Sequence, residues 1–407
     1  MKDDFKFIDG GSVSSPAGFK AAGIVAGLKY SGKPDMALIF SEVPAQFSGA
    51  FTSCVFAAAP VQVCRERVLN SKSVRAVVVN SGNANACTGK NGLRTANEMC
   101  EITAQGLGVT AEEVMVSSTG RIGVQLPIDT IKSGINKAVD ALSKDGGNIA
   151  AEAIMTTDTV PKSVAVEVEL SGGKVTIGAM TKGAGMIDPF MKVPHATMLC
   201  YITTDAELTK VQLDEMLHKG VNQSFNRVTV DGDMSTNDTT LIMANGASGV
   251  AVEGKDVAVF EAALRAVMQK LAKEMVVDGE GATKFVEVNI RNAVNEADAK
   301  CLAEAIGNSL LCKTAWFGND PNWGRLVAAL GYSGVQFDPD LVDVWYDEMP
   351  VVSKGGDAGT PEEELAEILK QPEFRVNVDM HAGDAGYWVW TCDISYEYVK
   401  INAEYHT

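Results

Sequence analysis

The chain has 407 residues, 46% hydrophobic and 21% charged, a composition typical of a globular protein long enough to bury a large core. Its formal net charge of −17 excludes nucleic-acid and anionic-membrane binding as expected functions, because both partners are themselves negatively charged. The sequence has no cationic leader at its start and no stretch near the roughly 18 apolar residues of a membrane span, so we expect a cytoplasmic protein.

Strands and amphipathic helices alternate along the first half of the chain. In order, the periodicity predicts a strand at 77–79, a helix over 93–107, a strand at 114–116, a helix over 128–142, and a hairpin of strands at 164–168 and 175–177. The turn-rich residues Asn80–Asn85 are predicted to end the first strand, and Ser117–Gly120 the second.

The second half repeats the same alternation. A capping box at Thr209–Gln212 predicts the start of a helix, and apolar spacing predicts a long helix over 257–271. Strands are predicted at 286–290 and 375–380, and the glycine-rich residues 355–360 are predicted to form a surface loop. Helices mixed with alternating strands indicate an α/β protein in which helices cover sheets.

The usual catalytic motifs are absent from this sequence. The eight cysteines include no C-x-x-C pair, and we expect them to be buried, reduced thiols. Histidines occur only at 195, 218, 381 and 406, too far apart for a sequence-local metal site, so we expect no metal. There is no phosphate-binding glycine loop and no Gly-x-Ser-x-Gly elbow. Composition and periodicity therefore predict a fold class and no chemistry.

Short sequence blocks carry the functional information. They are Lys182–Ile187, Ala196–Cys200, Asn80–Ala86, Ser118–Gly120, Met155–Thr159, Val230–Asp238, Trp323–Arg325 and Ile401–Tyr405. Each block is weak alone, but together they resemble the ornithine acetyltransferase family, also called bifunctional glutamate N-acetyltransferase, of arginine biosynthesis. The blocks run from the first hundred residues to the last ten, so the resemblance covers essentially the whole chain.

The resemblance implies that the precursor cuts itself between Ala196 and Thr197. The products would be an α chain of residues 1–196 and a β chain of residues 197–407, associated as a heterotetramer. Thr197 would then begin the second chain as the nucleophile. A threonine hydroxyl needs a base, and the α-amine of an N-terminal threonine, with a reference pKa of about 7.7–8.0, can serve as that base near neutral pH.

The resemblance also assigns roles to other residues. The Thr119 hydroxyl and the Gly120 backbone N–H would form the oxyanion hole. Substrate contacts would come from Thr156, Lys182, Thr197, Glu280, Asn402 and Thr407. Lys182 suits the α-carboxylate of an amino-acid substrate, and Glu280 suits the side-chain ammonium of ornithine. The positions of Asn402 and Thr407 imply that the C-terminal tail folds back over the pocket.

The implied fold is a two-sheet α/β/β/α sandwich, shared with certain self-processing aminopeptidases. The implied reaction moves an acetyl group from N2-acetylornithine to glutamate through acetyl-Thr197, with no cofactor and with acetyl-CoA as a possible co-substrate. One alternative is an N-terminal-nucleophile amidohydrolase or aminopeptidase of the same fold, in which water replaces glutamate. Another is a non-catalytic binding protein, which would remain a single uncut chain.

This sequence departs from the family pattern at two places. Residues 188–195, just before the implied cut, contain an apparent insertion. Arg121 follows Gly120 where an apolar residue is expected, and such a cation either alters substrate preference or points to solvent.

Overall fold

The structure, a computed structural model, describes residues 5–188 and 198–404. Within these ranges the strands are β1 (Phe5–Phe7), β2 (Phe19–Ile24), β3 (Met36–Phe51), β4 (Val74–Asn83), β5 (Val114–Arg121), β6 (Lys162–Leu170), β7 (Gly173–Lys182), β8 (Leu199–Thr204), β9 (Thr239–Ala244), β10 (Phe285–Ala293), β11 (Asp343–Tyr346), β12 (Met349–Ser353), β13 (Gly356–Asp357), β14 (Glu373–Asp379) and β15 (Ala385–Cys392). The α-helices are α1 (Ala59–Asn70), α2 (Gly89–Leu107), α3 (Ile128–Asp140), α4 (Gly147–Ala153), α5 (Lys210–Asn222), α6 (Asp256–Val277), α7 (Glu296–Gly307), α8 (Leu310–Phe317), α9 (Trp323–Gly331), α10 (Glu362–Leu369) and α11 (Tyr396–Glu404).

Nine strands form the larger sheet, in the order β1-β6-β7-β8-β9-β3-β4-β5, with β2 paired to β3. The long strand β3 joins the two halves of this sheet. Its first residues pair with β2 and β4, whereas Gln46–Phe51 pair with β9. The register with β4 shifts between Phe40 and Ala45, the irregularity at which β3 passes from one half of the sheet to the other.

Alternation along β8 separates two apolar cores. Leu199 and Tyr201 lie in a core shared with β4, β5 and helices α1–α3. Cys200 and Ile202 point the other way, into a core shared with α5 and α6. The order of layers is therefore helices, sheet, sheet and helices, which confirms the predicted α/β/β/α sandwich.

Strand β8 lies in the middle of its half of the sheet. Its residues pair antiparallel with Ile177–Lys182 of β7 on one side and parallel with Thr239–Ala244 of β9 on the other. Strand β9 in turn pairs with β3. Residues 199–204 are therefore held on both sides by strands that come from before and after them in the chain.

A second sheet follows in the chain, with the order β13-β12-β11-β14-β10-β15. It has its own core, in which the ring of Phe374 meets the rings of Trp316 and Tyr346 edge to face, at centroid distances of 6.1 and 5.9 Å. The strands predicted at 286–290 and 375–380 are confirmed as β10 and β14.

Most other predicted elements are confirmed, including the capping box, in which Thr209 accepts a hydrogen bond from the Gln212 backbone at 3.3 Å. The predicted strand ends at Asn80 and Ser117 are wrong, because β4 continues to Asn83 and β5 to Arg121. The polar residues there are buried and find partners inside the protein. Ser118 donates to the Asn80 side chain at 2.6 Å, and the Ser81 hydroxyl donates to the Ala153 carbonyl at 2.6 Å.

Two smaller predictions are also wrong. Residues 355–360 are not simply a loop, since Gly356–Asp357 pair with β12 as strand β13. Five of the eight cysteines are buried as predicted, but Cys54 is half-buried and Cys87 and Cys301 are exposed. Among the helices of the described ranges, none combines the length and the apolar character that crossing a bilayer requires.

Candidate functional site

A cavity with about 120 Å³ of space for water-sized molecules lies where β5 and β7 end and β8 begins; we call it the Thr119 cavity. Six residues that the sequence assigned to the site line it, namely Thr119, Gly120, Thr156, Lys182, Glu280 and Asn402. Ala196, Thr197 and Thr407 lie outside the described residues. Ile187 and Met198, from the two described stretches that border residues 189–197, both line the cavity.

Thr119 and Lys182 face each other across the strand ends. The Lys182 ammonium donates a hydrogen bond to the Thr119 hydroxyl oxygen at 3.4 Å, and both side chains are buried. Because the hydroxyl oxygen accepts from Lys182, its own hydrogen can point elsewhere, and no acceptor for it lies in residues 5–188 or 198–404. Lys182 forms no ion pair in the described ranges, although it attracts the buried Asp158 carboxylate over a longer distance. Its ammonium can therefore still donate to a ligand.

Gly120 occupies a conformation that only glycine adopts readily, with φ of 126°. A Cβ at this position would lie 2.5 Å from the backbone carbonyl carbon of Gly82, the residue paired with it across β4 and β5. The close approach of the two strands therefore depends on a glycine here. This close approach of β4 and β5 fixes the backbone of Gly120 at the wall of the Thr119 cavity.

Glu280 forms the acidic wall of the same cavity. Its side chain is 8% exposed, and it accepts a hydrogen bond from the Asn402 side-chain amide at 2.7 Å. Helix α11 brings Asn402 to this position. The carboxylate rests against Gly185, where a Cβ would lie 2.3 Å from its carbon atom. No cation is paired with Glu280 in the described ranges, so it can accept the ammonium group of a ligand.

A buried ion network supports the floor of the site. The Asp158 carboxylate accepts hydrogen bonds from the backbone N–H groups of Thr156 at 3.0 Å and Gly183 at 2.7 Å. It also binds the Lys162 ammonium at 2.9 Å, which contacts Asp278 at 2.5 Å. Burial alone would raise the pKa of Asp158, but Lys182 and Lys162 outweigh it and lower that pKa to about 2. The charged carboxylate thus anchors the backbone beside both Thr156 and Lys182.

Asp238 lines the cavity and received no role from the sequence, although it lies in one of the blocks that carry the resemblance. Its side chain is 3% exposed, and its Oδ2 atom has no hydrogen-bond partner among the described residues. Burial raises its pKa well above the usual range, with Ser235 and Lys182 opposing. Asp238 directly precedes β9, and the burial that sets its carboxyl apart comes from the packing of that strand, which no local sequence pattern indicates.

The two departures from the family pattern fall at different places. Residues 189–195 lie outside the described residues. Arg121 is exposed and lines a separate cavity that shares Thr156 with the Thr119 cavity. Over 5–188 and 198–404, no three His, Cys, Asp or Glu side chains are grouped so that they could hold a metal ion.

Known proteins match this chain over nearly its full length. The model of the ArgJ family matches residues 20–407. The chain is 48% identical over 402 residues to the arginine biosynthesis bifunctional protein ArgJ of Symbiobacterium thermophilum, covering 98% of this chain and 99% of that protein. It is also 48% identical over 413 residues to the glutamate N-acetyltransferase of Methanocaldococcus jannaschii, covering 99% and 100%.

A solved structure also matches. It is the ornithine acetyltransferase of Mycobacterium tuberculosis complexed with ornithine, 41% identical, with a TM-score of 0.43, covering 46% of this chain and 100% of that one. With a family match over residues 20–407 and two relatives that are 48% identical over nearly their whole length, this chain belongs to the ArgJ family.

Proposed function

We propose that this protein is a self-cleaving acetyltransferase that moves an acetyl group from N2-acetylornithine to glutamate through an acetyl ester on Thr197. The observation that carries the proposal is the Thr119 cavity. There a threonine hydroxyl, a lysine ammonium and a glutamate carboxylate, neither charge in an ion pair of the described ranges, line one cavity with Met198, the residue that follows Thr197 in the chain. The names of the relatives, an arginine biosynthesis protein and a glutamate N-acetyltransferase, agree with this reaction.

Donor binding uses the two charges of the cavity. The α-carboxylate of acetylornithine would pair with the Lys182 ammonium, and its side-chain ammonium with Glu280, whose orientation Asn402 fixes. Opposite charges in one cavity favour a zwitterionic amino acid and set its direction. The acetyl group on the α-nitrogen would then lie next to Thr119 and Gly120.

The first half-reaction acylates the enzyme. The Thr197 hydroxyl oxygen attacks the acetyl carbonyl carbon, and its proton passes to the Thr197 α-amine. The Thr119 hydroxyl and the Gly120 N–H would stabilise the resulting oxyanion, and Lys182, which donates to the Thr119 oxygen, makes that hydroxyl a better donor. The carbon–nitrogen bond then breaks, ornithine takes the proton from the α-amine, and the acetyl-Thr197 ester remains.

The second half-reaction reverses these steps with glutamate. The glutamate amine attacks the ester carbonyl, the carbon–oxygen bond breaks, and the Thr197 oxygen recovers a proton as N-acetylglutamate leaves. A bound amine competes well against water because its effective concentration at the ester is high. This competition separates a transferase from the hydrolase alternative.

We propose that self-cleavage between Ala196 and Thr197 precedes this cycle and yields chains of residues 1–196 and 197–407, which stay together as a heterotetramer. A denaturing gel with N-terminal sequencing tests the cut, and light scattering on the native protein tests the assembly. Thr197→Ala should remain a single chain, because cleavage requires the Thr197 hydroxyl to attack the preceding carbonyl. An uncut but fully active wild type would refute the nucleophile assignment.

The reaction itself is tested with acetylornithine as the donor and no CoA. Adding glutamate should speed ornithine release and yield one N-acetylglutamate per ornithine. Deleting residues 402–407 should impair both half-reactions, since donor and acceptor would use one pocket. If glutamate leaves the rate unchanged while free acetate accumulates, the protein is an amidohydrolase instead.

A further inference from the structure

A second cavity, which we call the Arg121 cavity, adjoins the Thr119 cavity and shares Thr156 with it. It is wider, with about 540 Å³ of space for water-sized molecules. Its wall includes Gly82 and Arg121, and Gly82 is the strand partner of Gly120. A ligand in the Arg121 cavity would therefore contact Gly82, whose strand partner Gly120 lines the Thr119 cavity.

The Arg121 cavity is basic in a strongly acidic protein. Lys29 and Arg121 line it, and no aspartate or glutamate is among its described lining residues. The chain as a whole carries a formal charge of −17. The Arg121 side chain is exposed and forms no hydrogen bond or ion pair with a residue in 5–188 or 198–404. Its planar group of donors is free to bind an anion.

Lys29 is held firmly in the wall of the cavity. The fully buried Asp35 carboxylate accepts hydrogen bonds from the backbone N–H groups of Ala26 at 2.6 Å, Leu28 at 2.5 Å and Lys29 at 2.9 Å. The Lys29 ammonium donates to the Pro34 carbonyl at 2.8 Å, which leaves two hydrogens for a ligand. Burial lowers the pKa of Lys29 to about 8, against the attraction of Asp35 and Asp158, so it remains mostly protonated at neutral pH.

We infer that the Arg121 cavity is a subsite for an anionic group, carboxylate or phosphate, of a substrate whose reacting end lies in the Thr119 cavity. The two cavities differ in charge, because Glu280 suits a cationic side chain and the pair Lys29 and Arg121 suits an anionic one. The inference rests on the proposed function, which needs one enzyme to accept both kinds of side chain. The anion would be either the side-chain carboxylate of glutamate or a phosphate of acetyl-CoA.

The test removes the positive charges of Lys29 and Arg121 and replaces each side chain with an apolar one of similar length. The variants are Arg121→Leu, Lys29→Met and the double substitution, with Lys33→Met as the control, because Lys33 is an exposed lysine of the same loop that does not line the cavity. KM is measured separately for acetylornithine, glutamate and acetyl-CoA. Self-cleavage on a gel and the thermal midpoint report whether each variant folds. If Lys29→Met or the double variant does not fold, the inference is judged on Arg121→Leu alone, because Arg121 is exposed.

We expect KM for the anionic substrate to rise about tenfold in each single variant, the usual effect of losing a charge-assisted hydrogen bond. KM for acetylornithine should stay the same or fall, since its side chain is cationic. If the anion is the glutamate carboxylate, KM for glutamine as acceptor will not change. If it is a phosphate, KM for acetyl-CoA will rise while KM for S-acetylpantetheine, which has no phosphate, will not.

Two results would overturn the inference. The first is that KM for glutamate and for acetyl-CoA stays within twofold of wild type in the double variant. The second is an equal rise for all three substrates, which would indicate general damage to the site. If the wild type itself releases no ornithine from acetylornithine, the proposed function fails. The subsite is then judged by calorimetric binding of glutamate and of CoA to wild type and Arg121→Leu.

Discussion

Replacing Asp158 with asparagine should destabilise the protein in a pH-dependent way. The carboxylate anchors two backbone N–H groups and Lys162, and its pKa in the folded protein is about 2 against an ordinary value of 3.8. A folded-state pKa below the unfolded one adds stability above the unfolded value and loses it as the pH falls toward the folded value. The difference corresponds to about 2.5 kcal/mol at neutral pH.

The assay is urea unfolding of wild type and Asp158→Asn at pH 7, 5, 4 and 3. The free-energy difference between them should be about 2–3 kcal/mol at pH 7 and should fall to about half at pH 3, where the carboxyl is mostly protonated in the unfolded chain but still ionised in the folded protein. Asp145→Asn is the matched control, because Asp145 is exposed and its carboxylate has no partner in the described ranges. An equal penalty at pH 7 and pH 3, or none at pH 7, would refute the role of the charge.

Three further outcomes are expected. Thr119→Ala should lower kcat by about 10²–10³-fold with a smaller effect on KM, and Thr119→Ser should keep most of the activity; a change confined to KM would mean that the hydroxyl contacts only the ground state. Gly185→Ala should raise KM for acetylornithine, since its Cβ would displace the Glu280 carboxylate, and unchanged kinetics would contradict that contact. Ellman's reagent should modify Cys87 and Cys301 quickly in the native protein, the half-buried Cys54 more slowly, and the five buried cysteines only after unfolding; reaction of more than these three thiols in the native protein would show that the core opens.

Hydrophobic periodicity was sufficient to predict the helices and strands whose polar residues face solvent. It predicted the helix at 93–107 and the hairpin at 164–177, where one face is apolar and the other is not. It failed at Asn80–Asn83, because those residues look like a turn by composition. Their polar groups are satisfied by β5 and α4 rather than by water, and no local pattern contains that information.

The candidate site could not be assembled from periodicity at all. Thr119 comes from β5, Lys182 from β7, Glu280 from the turn after α6 and Asn402 from α11, and only the folded chain brings them to one cavity. The resemblance supplied these positions but not their contacts, such as the hydrogen bond from Asn402 to Glu280. Asp238 and the Arg121 cavity could be identified only from the structure, because both are defined by neighbours that are distant in the sequence.

The position of β8 between β7 and β9 has a consequence for the two chains that the proposed cleavage would produce. The new second chain would contribute β8 and β9 as a pair inserted between β7 and β3 of the first chain. Neither product could leave without breaking both ladders, so nicking would not create a dissociable complex. We expect the halves, expressed separately, to be insoluble alone and to recover activity only when they fold together.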